Sequence, residues 1–105
     1  GYLYGIAPNG ELVCLDLDGS RRWSSGSGKT FGLGPYMIAD GMILVLNDQA
    51  ISLHAVEASP AGFREIASAK VLTGHDAWAP MALADGRLIL RDLTQMVCLK
   101  IGAEP

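Results

Sequence analysis

The chain has no hydrophobic run long enough to cross a membrane. Its longest, Tyr36 to Leu46, is broken by Asp40-Gly41 and falls well short of the ~20 residues a bilayer requires. No transmembrane helix is therefore expected, and no secretory-leader pattern stands at the start. Basic residues are also scarce: 8 Lys and Arg against 11 Asp and Glu leave a net charge of −3 and a pI near 5.1. Without a basic stripe to neutralise phosphates, nucleic acid is excluded as an expected partner. Neither asparagine lies in an Asn-x-Ser/Thr sequon, so glycosylation offers no clue. What is abundant is apolar surface. Half of the residues are hydrophobic and the mean hydropathy is +0.26, which excludes disorder and gives the composition of buried sheets.

The signature Pro-x-x-x-Ala-Asp-Gly occurs twice, as Pro35 to Gly41 and Pro80 to Gly86, a spacing of 45 residues (80 − 35). A second echo agrees: Leu12-Val13-Cys14-Leu15 recurs as Met96-Val97-Cys98-Leu99, 84 residues on (96 − 12), or two periods of 42. Repeats of this length built of several short strands are the sequence mark of a β-propeller, each repeat being one blade. The 105 residues hold about two and a half such blades, and rings close at about four to eight. The chain is thus expected to be part of a larger ring or a protomer that completes a ring by association, and Gly1 at its start fits an excised or processed segment. Cys14 and Cys98 fall at equivalent positions two blades apart. They are expected on separate sheets, too distant for a disulfide, which needs Cα atoms within about 7 Å.

Turn chemistry and alternation divide the chain into an all-β series with four-stranded antiparallel blades: 1–28 a partial blade, 29–73 a full one, 74–105 a partial closing one. In the first, Tyr2 to Ile6 and Glu11 to Leu17 flank Pro8-Asn9-Gly10, and Arg21 to Ser25 follows Asp18-Gly19 as the outer strand; the innermost strand is lacking. The middle blade reads Pro35 to Ala39, Met42 to Leu46, Ile51 to Glu57 and the stretch Gly62 to Leu72. A short helix competes for that last stretch, because Ala, Glu and Lys favour helix. The last blade reads Ala77 to Leu83, Arg87 to Arg91 and Gln95 to Ile101, and stops before a fourth strand.

Leu15-Asp16-Leu17-Asp18-Gly19-Ser20-Arg21-Arg22-Trp23 resembles the Leu-Asp, Gly-turn, basic-x-x-Trp strand motif of the pyrroloquinoline-quinone-type (PQQ-like) repeat family, shortened by one residue. Ala77-Trp78-Ala79-Pro80, Arg87 to Asp92 and Val97-Cys98-Leu99 resemble a closing blade of such repeats. The resemblance implies a propeller and one of two roles. One is a non-catalytic scaffold or protein-interaction module in the periplasm or cell envelope. The alternative is the C-terminal part of a quinoprotein dehydrogenase, which holds quinone and calcium over the funnel of its ring. This chain has no vicinal Cys-Cys pair and no clustered Asp, Glu and Asn to assign to calcium. The expectation is therefore no cofactor and no metal, with an unknown protein partner or the remaining blades of a parent ring binding the open strand edges.

Single motifs add little chemistry. Ser25-Gly26-Ser27-Gly28-Lys29-Thr30 ends like a P-loop, but position 23 is Trp where that motif needs Gly, so it reads as an inter-blade loop. Asp16-Leu17-Asp18-Gly19 lacks the spacing of a calcium loop and reads as a turn in which Asp16 bonds backbone amides. Trp23 is expected to dock between blades, while Trp78, beside an innermost strand, is a candidate ligand or partner surface. His75-Asp76 is the most site-like cluster, since a carboxylate orients an imidazole, although loop neighbours seldom face each other. Arg91-Asp92 lies where a blade turns toward a rim and joins the candidate surface. Arg21-Arg22 reads as a solvated outer strand. His54 reads as a satisfied or edge residue of its strand, and no serine or cysteine is placed to complete a nucleophilic triad.

Overall fold

The two Ala-Asp-Gly turns fold alike. In the computed structural model of the chain, Asp40 and Asp85 have φ of 51° and 52°, and Gly41 and Gly86 have φ of 74° and 71°. Two successive left-handed residues make a type I′-like hairpin, whose twist matches the strands it joins, and Asp followed by Gly is a favoured pair for it. Each turn folds its strand back at once: Tyr36–Ala39 pairs with Met42–Asn47, and Ala82–Ala84 with Arg87–Arg91. The repeat is thus a repeat of turn geometry.

The structure describes residues 1–32, 35–47, 52–72 and 80–101. Among them the regular elements are ten strands and no helix. β1 (Leu3–Ile6), β2 (Leu12–Leu15) and β3 (Arg21–Ser24) form one antiparallel sheet in that order. β4 (Tyr36–Ala39), β5 (Met42–Asn47), β6 (Ser52–Glu57) and β7 (Glu65–Lys70) form the middle sheet, and β8 (Ala82–Ala84), β9 (Arg87–Arg91) and β10 (Met96–Lys100) the third. All neighbours are antiparallel. The segment for which strand and helix competed is β7, a strand, because it completes the ladder of β6. β6 begins at Ser52, and Ile51 lies outside the described residues. The expected Ala77 to Leu83 strand is seen as the shorter Ala82–Ala84, with 77–79 also outside them.

β5 explains why the sheets stack. Its run Ile43-Leu44-Val45-Leu46 is buried on both faces, at 0 to 3% exposure. Ile43 and Val45 join Leu12, Cys14, Trp23, Phe31 and Val56 in a core shared with the first sheet. Leu44 and Leu46 join Leu72, Leu88 and Leu90 in a core shared with the third. A continuous apolar run is what a strand covered on both sides requires. Each such side chain contributes about 1.5–3 kcal/mol by leaving water. β9 shows the opposite pattern: Leu88 and Leu90 point inward while Arg87, Ile89 and Arg91 are exposed. Three antiparallel sheets packed face to face are an arrangement of partial propeller blades, and they do not close into a ring.

Leu46→Ala is expected to destabilise the chain by about 2–5 kcal/mol, because it opens a cavity between two packed sheets. Leu17→Ala, at a position 72% exposed, should stay within about 0.5 kcal/mol. Urea denaturation of the two variants beside the parent chain measures both.

Candidate functional site

Strand alternation puts residues i and i+2 on one face, so Ser52 and His54 of β6 project together, on the side of Val56 and the first core. Their side chains meet: Ser52 Oγ lies 2.8 Å from His54 Nε2. The other ring nitrogen, Nδ1, contacts Glu65 Oε1. Glu65 reaches that face through an irregularity in the ladder. Ala55 pairs with Ala67 but Val56 pairs with Glu65, so Ile66 is the extra residue of a β-bulge. A bulge re-aims the side chains beyond it. Here it turns Glu65 toward His54 and leaves Ile66 on the opposite side.

The fourth member comes from the connection between the first two sheets. Gly26 has φ of 87° and its carbonyl accepts from Lys29 N at 3.0 Å, closing a turn. The Ser25 hydroxyl donates to the Lys29 carbonyl at 2.6 Å and accepts from Leu12 N at 3.0 Å. Phe31 N donates to the Gly10 carbonyl, and Asn47 Nδ2 donates to the Thr30 carbonyl. So held, the loop lays the Lys29 ammonium 2.8 Å from Glu65 Oε2 and the Phe31 ring edge-on to His54, 5.2 Å between centroids. Gly10 allows this close approach, since a Cβ there would stand 3.2 Å from Thr30 Cβ.

The electrostatics follow from those contacts. Burial is the largest single influence on Glu65 and pushes its carboxyl up, but hydrogen bonds from His54 and Lys29, with their charges, together outweigh it. Glu65 is held below its ordinary value and is therefore a carboxylate, which only accepts. The proton of the shared bond must then sit on Nδ1. In the neutral imidazole this leaves the Nε2 lone pair facing Ser52, whose hydroxyl donates to it. A serine, histidine and carboxylate in that order, with the outer carboxylate oxygen on an ammonium, form the arrangement that draws a proton from a hydroxyl. Ser52 and His54 open on a pocket of about 400 Å³ bordered also by Lys29, Thr30, Phe31 and Asn47. Among the described residues no group of three or more His, Cys, Asp or Glu is placed to hold a metal ion.

His75, Asp76 and Trp78 lie outside the described residues. Arg91 is exposed, donates from Nε to the Asp92 carbonyl at 3.1 Å and borders a shallow depression with Leu93 and Met96. Asp92 is buried, and its Oδ1 accepts from Thr94 N and Gln95 N, both at 2.8 Å, closing the turn before β10. Trp23 is 8% exposed in the first core, tilted against Tyr4 and Phe63, and its Nε1 donates to the Ser59 carbonyl at 2.6 Å. Asp16 sits in the expected turn, its carbonyl accepting from Gly19 N at 2.9 Å, but its side chain is used otherwise. Its carboxylate faces Arg22 Nε at 3.7 Å, and it is Asp18 that accepts a backbone amide, from Ser20 at 2.9 Å. The Arg22 guanidinium also lies over the Tyr2 ring.

His54 therefore has a serine partner that the sequence reading did not give it. The readable signal was the Ser52-x-His54 spacing in a strand. Neither protein-family models nor curated proteins give a match to the chain, so what it does is to be read from its own residues.

Glu65 sits lower in the folded chain than in the unfolded one, so it stabilises the fold above its unfolded value of 4.5 and loses this effect as pH falls through the folded value. Wild type is expected to be more stable than Glu65→Gln at neutral pH. The gap should shrink below about pH 4.5, as read by denaturation midpoints across a pH series.

Proposed function

We propose that the chain is a segment of a PQQ-like β-propeller that serves as a scaffold or protein-interaction module, completed by further blades or by a protein partner, and that it works in the cell envelope as the resemblance implies. The observation that carries this reading is the pair of uncovered apolar strips on the middle sheet. On the side of the first sheet, Tyr36 pairs with Val45 and Ile38 with Ile43, so all four share a face. Val45 and Ile43 are buried, whereas Tyr36 and Ile38 are 42% and 51% exposed. The first sheet has three strands and leaves the innermost strand of its neighbour bare.

The opposite face shows the complementary gap. β10 pairs with β9 alone among the described strands, and beyond it an apolar groove is lined by Leu53, Ile66, Ala67, Ala69 and Ile101. Ile66 is 53% exposed there. One neighbour leaves the inner edge of the middle sheet uncovered and the other leaves its outer edge. Exposed apolar strips beside open strand edges favour association with further strands. The role as an interaction module rests on analogy with the family, because a fold alone does not give a function.

Light scattering on a sizing column is expected to give a mass above the 11.1 kDa of one chain that rises with concentration. Ile38→Lys and Ile66→Lys should each lower it, with stability changed by no more than about 0.5 kcal/mol. A wild-type chain that stays at the mass of one copy at every concentration would remove self-association and leave completion to further blades or to a different protein partner. Alcohol-dependent reduction of an artificial electron acceptor by the full-length protein, requiring quinone and calcium, would replace the scaffold reading with the dehydrogenase reading.

A further inference from the structure

Nothing in a scaffold role uses Ser52, His54 and Glu65. A histidine that served only to fill the sheet would need one hydrogen-bond partner for each nitrogen, in either order. With the imidazole neutral, the order here is fixed. Glu65 accepts from Nδ1, and Lys29 holds the other carboxylate oxygen. Nε2 is thereby left as the acceptor for the Ser52 hydroxyl. The imidazole is 9% exposed and its ring is held edge-on by Phe31. Ser52 is only half-buried and, like His54, lines the pocket, so the hydroxyl is within reach of a reagent entering from solvent.

We propose that Ser52 is an activated nucleophile that takes the acyl group of small carboxylic esters with good leaving groups, with His54 as general base and Glu65 as the positioning residue. The Ser52 Oγ–acyl carbon bond forms and the bond from that carbon to the ester oxygen breaks. The proton passes from Oγ to His54 Nε2 and from there to the departing alkoxide, which leaves as the alcohol. Water, deprotonated by the same nitrogen, then attacks the acyl-serine, releases the carboxylic acid and restores Ser52. No oxidant, metal or cofactor enters the balance. The pocket volume of about 400 Å³ lies within the ordinary range for small-ligand sites. Phe31, Thr30 and Lys29 also line this pocket. This inference is independent of ring closure, since every residue it uses belongs to the middle sheet or to the loop preceding it.

The test is labelling of the full-length protein with an alkyl fluorophosphonate, in which the Ser–O–P bond replaces P–F and fluoride leaves, read by peptide mass spectrometry. Ser27, exposed on the same loop, is the internal control for unactivated serine. Ser52 is expected to take the label at least about 100-fold faster than Ser27, and His54→Gln to remove about 10²–10⁴-fold of the rate. Glu65→Gln should slow it as well, by freeing the imidazole to place its proton on Nε2. Ser52→Ala should abolish the adduct at that peptide. Labelling of Ser52 at the rate of Ser27 would overturn the proposal. Because that ratio is measured within the wild-type protein, it decides even where His54→Gln fails to fold. Labelling of Ser52 that is fast but unchanged in a folded His54→Gln would overturn the role given to the histidine.

Discussion

Burial of β5 on both faces is the constraint on which the rest of the structure depends. Ile43, Leu44, Val45 and Leu46 are all apolar, so this strand cannot by itself distinguish one face from the other. A slip of one residue, which in a half-exposed strand would expose the core, would here still present apolar side chains to both neighbours. The register must be set from outside the strand. The Asp40-Gly41 turn does this by fixing β4 against β5, and its counterpart at Asp85-Gly86 fixes β8 against β9 in the same way. The hydrophobic effect supplies the stability and the left-handed turns supply the alignment.

That division explains what was legible in the sequence. The sheets and their order were readable because their determinants are local and repeated: paired Asp-Gly turns, short apolar strands and a 45-residue interval. The ambiguity of Glu65 to Lys70 was real at the local level, because Ala, Glu and Lys do favour helix. The ladder offered by β6 decides it. The turn expected at Asp16 is present, and only the partner of its carboxylate differs. Two aspartates flank the same turn, and the one further along the chain, Asp18, is the one positioned for the Ser20 amide, which leaves Asp16 to Arg22.

The Ser52, His54 and Glu65 cluster was only half legible. Two residues apart in a strand, Ser52 and His54 could have been recognised as neighbours on one face. The carboxylate could not, since its arrival depends on a bulge that no residue type announces. Lys29 comes from a loop 36 residues earlier in the chain, and Trp23 finds the Ser59 carbonyl over the same separation. Long-range polar contacts of this kind follow from how the first and middle sheets stack. The stacking in turn follows from apolar faces that carry no information about which polar groups will meet at their rim.

The two cysteines stand at equivalent positions of the repeat, and the fold makes them chemically unequal. Cys14 is fully buried in the first core, where burial pushes its thiol up and away from the reactive thiolate form. Cys98, at the corresponding place in the third sheet, is exposed and lies opposite Ile89. A maleimide offered to the folded chain thus finds one thiol of two. The internal symmetry of the sequence is broken by depth alone, and a spectroscopic label can be set on the outward face of the third sheet without altering a residue.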